Sequence, residues 1–305
     1  MNKNCSKKKR NYGIVWRRRL LHTAFLLPAV ACMLFSVYIP FAWNGILSFQ
    51  EWNGFLPASW CGIENYAQFF RDAEALKSIW NSFFIATVST AGAVILGLFL
   101  TSLVYKLGKV EGAFCRLIIF LPVMLPTAVV GLLFTFVFNP EMGILNNLLR
   151  SFGLSQWTKA WLENSDTVMW CIAIVNIWKM TGLTMMLSFA SMQMLPDSIF
   201  ESAKMEGAGY VRQLFSIIFP LIKPTILMAA TYSLVVNFKS YDIVFVLTRG
   251  GPGTTSETIP LLMMKTAFNF NEFGYSAGLG MVLAMVVMLT VLAVQRILKG
   301  ETYEY

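Results

Sequence analysis

The residues of this chain that could take part in chemistry are few. Their arrangement suits holding a solute or transmitting force better than making bonds. His22 is the only histidine among 305 residues, which excludes histidine metal sites and histidine-dependent triads within this chain. The five cysteines (Cys5, Cys32, Cys61, Cys115, Cys171) are scattered with no Cys-x-x-Cys pair, so neither a zinc site nor a disulfide framework is indicated. Paired catalytic acids and a Gly-x-Ser-x-Gly elbow are both missing, which argues against an intramembrane enzyme. There is no Gly-x-x-x-x-Gly-Lys-Ser/Thr phosphate loop either, so any nucleotide that drives the protein is bound by another subunit.

What remains is polar chemistry inside apolar runs. Asn176, Trp178 and Lys179 lie in one such run. A lysine at the centre of a membrane helix costs about 2.5–3.5 kcal/mol on insertion scales, so Lys179 is expected to face a bundle interior or a wet cavity. With Asn176 and Trp178 it could line a sugar path, because sugars are held by hydrogen bonds and stacked on aromatic rings. A structural lysine paired with a carboxylate or with helix carbonyls is the alternative. A second group comprises Asn237, Lys239, Tyr241 and Asp242. Lys239 and Asp242 are three apart and could pair on one helix face, while Asn237, Tyr241 and Asp242 are further candidates for the path.

The third concentration of polar residues is the stretch from Glu201 to Pro220, continuing to Pro224. Ser198 followed by Glu201 reads as a capping box at the start of a short helix over 198–206. Gly207-Ala208-Gly209 offers a turn where a left-handed backbone costs little. A second short helix would carry Val211, Leu214, Phe215 and Ile218 on one face, with Phe215 and Ile217 read mainly as internal packing. Pro220 and Pro224 mark its end or a kink, because proline supplies no backbone donor. The result is a compact helix-turn-helix knob offered to a partner.

The elements that must position these groups are membrane helices. The chain is 56% hydrophobic and only 13% charged, with a mean hydropathy of +0.61, against about 25% charged in an ordinary soluble domain. Six apolar runs of spanning length are expected: roughly 20–42, 79–105, 114–138, 168–195, 225–247 and 275–297, since about 20 apolar residues cross the hydrocarbon. The first run is too long for the core of a signal peptide and continues past Ala29-Val30-Ala31-Cys32, which only loosely resembles a lipoprotein cleavage site. Pro122 and Pro126 inside the third run predict a bent helix packed in a bundle. The loop 139–167 and the segment 254–274 each read as a loop or short interfacial helix.

The net charge of +8 is distributed as in a membrane protein rather than a nucleic-acid-binding one. Sixteen Lys and Arg fall in segments 1–19, 106–116, 204–223 and 296–299, against six in the alternate segments. That asymmetry predicts both termini, and the knob, in the cytoplasm. The expected fold is therefore all-α, a polytopic bundle of six transmembrane helices. It has a basic tail (1–19), a membrane domain (20–299) with a cytoplasmic loop at 196–224, and a short tail (300–305). No internal or inverted repeat is evident, and only Asp242 could serve as a coupling-ion acid, which weakens the alternative of a secondary, ion-coupled transporter.

Glu201-x-Ala203-x-x-Glu206-Gly207-Ala208, followed by Phe215, Ile217 and Pro220, resembles the cytoplasmic coupling loop of ABC importer permeases. Ser202, Glu206 and Phe219 depart mildly from the usual pattern. Asn139-Pro140 through Gly143 and Asn146, Trp178 with Gly182, Leu195-Pro196, and Thr248 to Pro252 with Glu257-Thr258 are similar to the carbohydrate-specific branch, of MalF-like or glycerol-phosphate permease type. The resemblance covers nearly the whole chain from about residue 20. It implies a MetI-like permease core in a prokaryotic plasma membrane, paired with a second permease as a heterodimer. Two ATP-binding cassette subunits would supply ATP and Mg, an extracellular solute-binding protein would deliver the carbohydrate, and this chain would bind no cofactor itself. It further implies that Glu201, Ala203, Glu206, Gly207, Ala208, Ile217 and Pro220 couple the chain to the ATPase. Which carbohydrate is carried does not follow from these residues.

Overall fold

The structure, a computed structural model, describes residues 25–298. The expected basic tail, the first residues of the first run and the last seven residues lie outside the described residues. The described residues open with α1 (Phe25–Leu47). An antiparallel strand pair follows, β1 (Gln50–Glu51) and β2 (Ser59–Trp60), with Gln50 opposite Trp60. Then come α2 (Glu64–Arg71), α3 (Ala73–Val104), α4 (Lys109–Met124), α5 (Thr127–Val137), α6 (Ile144–Ser151) and α7 (Val168–Gln193). The second half comprises α8 (Asp197–Met205), α9 (Tyr210–Leu221), α10 (Lys223–Phe238), α11 (Asp242–Leu247), α12 (Ile259–Phe268) and α13 (Phe273–Leu298).

Among the described residues, α1, α3, α7 and α13 are each long and apolar enough to cross a membrane unaided. The count reaches six only if two bent pairs are each taken as one span: α4 with α5, bent by 101°, and α9 with α10, bent by 72°. The third expected span is thus broken rather than merely bent. Pro122 lies inside α4 and withholds one donor there, and α4 is capped at Leu125, which is extended (φ −73°, ψ 138°), as the residue before a proline tends to be. Pro126 then caps α5 in a new direction. The fifth expected span, 225–247, is also interrupted. α10 stops at Phe238, and after Lys239–Tyr241 the chain resumes as α11.

The centre of the fold is the α3–α7 pair, packed through small side chains. A Cβ on Gly97 would stand 2.7 Å from the Thr184 side chain. Ser89 and Thr101 hydroxyls donate to the Ala173 and Met185 carbonyls of α7 at 3.4 and 3.2 Å. Without a hydrophobic drive between helices in lipid, such close approach and cross-helix bonding hold the pair together. α4 joins through Gly182, where a Cβ would lie 2.3 Å from the Ile119 carbonyl oxygen, so only glycine admits that backbone. Asp72 starts α3 by accepting from the Glu74 and Ala75 amides, and its second oxygen accepts from the Tyr275 hydroxyl of α13 at 2.8 Å. By contrast, α1 has no buried residue in its apolar window, and Asn44 near its end donates to the Ala277 carbonyl of α13.

Two irregular regions lie at opposite ends of α3. At its C-terminal end stands the α8–α9 knob. At its N-terminal end the loop 248–258 is pinned, because Asn81 donates to the Thr255 and Glu257 carbonyls at 2.9 and 2.8 Å. Ser82 completes that attachment by accepting from the Ile259 amide. Of the two alternatives for 139–167 and 254–274, loop or short helix, each segment contains a short helix, α6 and α12.

Candidate functional site

The knob is built from the turn outward. Helix α8 begins at Asp197 behind Pro196, with no side-chain cap, so the predicted Ser198–Glu201 capping box does not form. Proline supplies the extended residue before the helix, and Asp197 places the first-turn negative charge that favours a helix start. Glu201 is left exposed, with no ion pair among the described residues. At the other end of α8 the Ala208 amide donates to the Ala203 carbonyl at 2.9 Å and the Gly207 amide to that of Lys204 at 3.0 Å. Gly207 itself sits at φ +76°. This is a Schellman turn, which satisfies the last carbonyls of α8 and favours glycine at that position. Gln213, unremarked in the sequence, is buried and reaches back to the Ala208 carbonyl at 2.7 Å.

Helix α9 contains a wide π-turn at Leu214–Ile218. The extra residue in that turn breaks the simple spacing of three and four. Leu214 and Ile218 pack with Ile222 against Met192 of α7, where the knob joins the bundle, whereas Val211 and Phe215 point outward, Phe215 being 67% exposed. The expectation that all four share a packed face is therefore corrected. The knob is moored to α3 by the Tyr210 hydroxyl, which donates to the Ser102 carbonyl at 2.6 Å, and by Tyr105 stacked on Phe200. Pro220 and Pro224 flank the 72° bend into α10, as their missing donors predict.

Of the expected coupling residues, Glu201, Glu206, Gly207 and Pro220 are exposed, while Ala208 and Ile217 are half-buried. Ala203 is buried, so it supports the turn from within.

The expected path residues are gathered less completely. Lys179 is only 7% exposed and its Nζ donates to the Thr127 hydroxyl at the start of α5. Trp178 stacks edge-on to Phe134 of α5, and Asn176 bonds back to the Ile172 carbonyl within α7. Asn237 is buried, donating to Thr90 and Ser233 hydroxyls at 3.3 and 3.2 Å, with its own carbonyl oxygen unpartnered. Lys239 and Asp242 form no ion pair among the described residues. They lie on either side of the break between α10 and α11, where helical three-residue spacing no longer applies. Tyr241 stacks on Phe245.

One pair was not anticipated. Glu257, 1% exposed, meets Lys265 of α12 with its Oε1 2.8 Å from Nζ. The two residues come from a loop and a helix, and an acid within the polar run Thr254–Thr258 gave no local hint of it.

Residues 93–298 match the family described as binding-protein-dependent transport system inner membrane component. The chain is 34% identical to the probable ABC transporter permease protein YurN of Bacillus subtilis (strain 168), over 90% of this chain and 94% of that one. It is 29% identical to the sulfoquinovosyl glycerol transport system permease protein SmoG of Agrobacterium fabrum (strain C58), over 93% and 92% of the two chains. In fold it is similar to a chain in the crystal structure of a bacterial ABC transporter involved in the import of the acidic polysaccharide alginate, with a TM-score of 0.81 at 21% identity, covering 95% of this chain and 98% of that one.

Proposed function

This chain belongs to the family of binding-protein-dependent transport system inner membrane components, and on that premise we propose that it forms half of the path of an ATP-driven carbohydrate importer. The observation that carries the coupling part of the reading is the knob. Its turn is closed by its own backbone, its core is packed onto Met192 of α7 and Tyr105 beyond α3, and its acids are left free. Glu201 and Glu206 are offered to bases of an ATPase subunit, with Gly207 and Gly209 allowing close approach. Ala203, Ala208, Ile217 and Pro220 keep the knob rigid. Closure of the ATPase pair moves the knob as a body and rocks the spans attached to it, a motion of packed helices about one another.

The excess of bases beside the knob supports its placement in the cytoplasm, with both termini on the same side. The same reasoning supports a membrane domain over 20–299 between two short tails. Lys179, Trp178 and Asn176, with Tyr241 and Asp242 beside the second break, are proposed to line the path, with Asn237 behind them. ATP and Mg belong to the partner, since this chain lacks a phosphate loop. The carbohydrate class rests on the named substrates of the relatives, a glycosylated glycerol and a polysaccharide.

The test is uptake in cells carrying the whole system. It should require ATP and the separate binding protein and survive collapse of the proton gradient. The variant Glu201→Lys should abolish uptake and ATPase co-purification while the chain stays in the membrane. Uptake by this chain alone in liposomes would overturn the proposal.

A further inference from the structure

An apolar groove of about 540 Å³ runs between the C-terminal part of α3 and helix α9. Ile95, Phe99 and Leu103 form one wall, Tyr210 and Phe215 the other, and Lys106 stands at its mouth. Ile95, Phe99, Leu103 and Phe215 are all exposed, so no element of the described chain covers the groove. Lys106 follows the end of a 32-residue apolar helix, which places its charge at the depth of lipid headgroups. Its Nζ lies 3.8 Å from the centroid of the Tyr210 ring, and among the described residues no carboxylate pairs with it.

We infer that this groove holds an acyl chain of an anionic glycerophospholipid, with the phosphate against Lys106. The groove lies within the roughly 300–1,000 Å³ of small-ligand sites, a size that suits an acyl chain. Charge decides the headgroup. A free base at the membrane surface attracts an anionic lipid, and basic pockets between helices at that depth bind such headgroups. Because one wall is α9, the lipid touches the helix that carries the knob. The inference needs only that this end of α3 lies at a membrane surface, and so stands apart from the ATPase docking proposed above.

The test uses the full chain, purified with its partner subunits, in nanodiscs of neutral phosphatidylcholine. Phosphatidylglycerol and phosphatidylcholine probes carry the same photoactivatable acyl chain, and labelled peptides are mapped by mass spectrometry. Phosphatidylglycerol should label 95–106 and 210–219 about five-fold more than phosphatidylcholine, the factor that corresponds to about 1 kcal/mol per base near the surface. Lys106→Gln should equalise the probes and Lys106→Arg should keep the preference. Leu103→Trp should remove labelling of these peptides by both, with helical content and yield unchanged. Should a variant fail to fold, the comparison of the two probes on the native chain decides alone. Equal labelling of the native chain, no label in either peptide, or a cross-link of the second permease into the groove would overturn the inference.

Discussion

Gly207 separates the shape of the knob from its contact with a partner. At φ +76° an alanine would be strained by about 1–2 kcal/mol, because its Cβ approaches the following carbonyl. Nothing else opposes it, since a Cβ there meets no atom within 4 Å. The two Schellman hydrogen bonds that hold the turn are worth about 0.5–1.5 kcal/mol each, so the strain is comparable with what closes it. Gly207→Ala should therefore keep the chain folded in the membrane and weaken ATPase association by no more than about 5–30-fold, the factor for one to two kcal/mol. Asparagine tolerates the left-handed region, so Gly207→Asn restores the turn but adds a side chain on its outer surface. If that surface lies against the ATPase, Gly207→Asn should weaken association at least as much as Gly207→Ala. The assay is quantitative co-purification of the ATPase with each variant from solubilised membranes, beside solute uptake. Native-level association for Gly207→Asn together with a loss for Gly207→Ala would refute docking at this face and leave the glycine a purely conformational role.

Three further outcomes follow from the packing. Lys179→Met removes the bond to Thr127 from the middle of α7 and should change uptake kinetics without lowering yield or helical content, whereas unchanged kinetics would remove Lys179 from the path. Asn81→Ala leaves the Thr255 and Glu257 carbonyls without their donor, at about 1–3 kcal/mol for each group left unsatisfied, and should make loop 248–258 more sensitive to limited proteolysis. Gly182→Ala forces a Cβ to within 2.3 Å of the Ile119 oxygen and should lower thermal stability by about 1–3 kcal/mol or more as α4 is pushed off α7.

The bundle, its membrane class and the knob were legible in the sequence because each has a local cause. Long apolar runs, Gly207 ahead of a second short helix, and Pro122 with Pro126 act through neighbouring residues. What was missed depends on distant packing. The break after Phe238 has no proline or glycine to announce it, and the buried Asn237 beside it bonds to Thr90, far away in sequence. Lys239 and Asp242 therefore looked like a helical pair and are not. Val211 and Phe215 were assigned to the packed face because three-and-four spacing assumes an α-helix, which the π-turn at Leu214–Ile218 is not. Ser198 looked like a cap because Pro196-Asp197 was read as loop, although proline and an acid start the helix equally well. Glu257 with Lys265 gave no local signal at all, since a loop and a helix must first be folded together.

The right-angle break between α4 and α5 also governs where water can go. The first hydrogen bond of α5 runs from the Val130 amide to the Pro126 carbonyl, so the amides of Thr127, Ala128 and Val129 precede it. Thr127 is held by Lys179, near the middle of the 26-residue helix α7, which sets these donors at mid-depth. Hydrocarbon cannot accept from them, so neighbouring protein groups or water must. The level at which this span fails to be continuous is thus one at which protein groups or water must supply acceptors from outside the helix, and these three amides, outside any helix ladder, should exchange their hydrogens with solvent far faster than their counterparts in the unbroken α3.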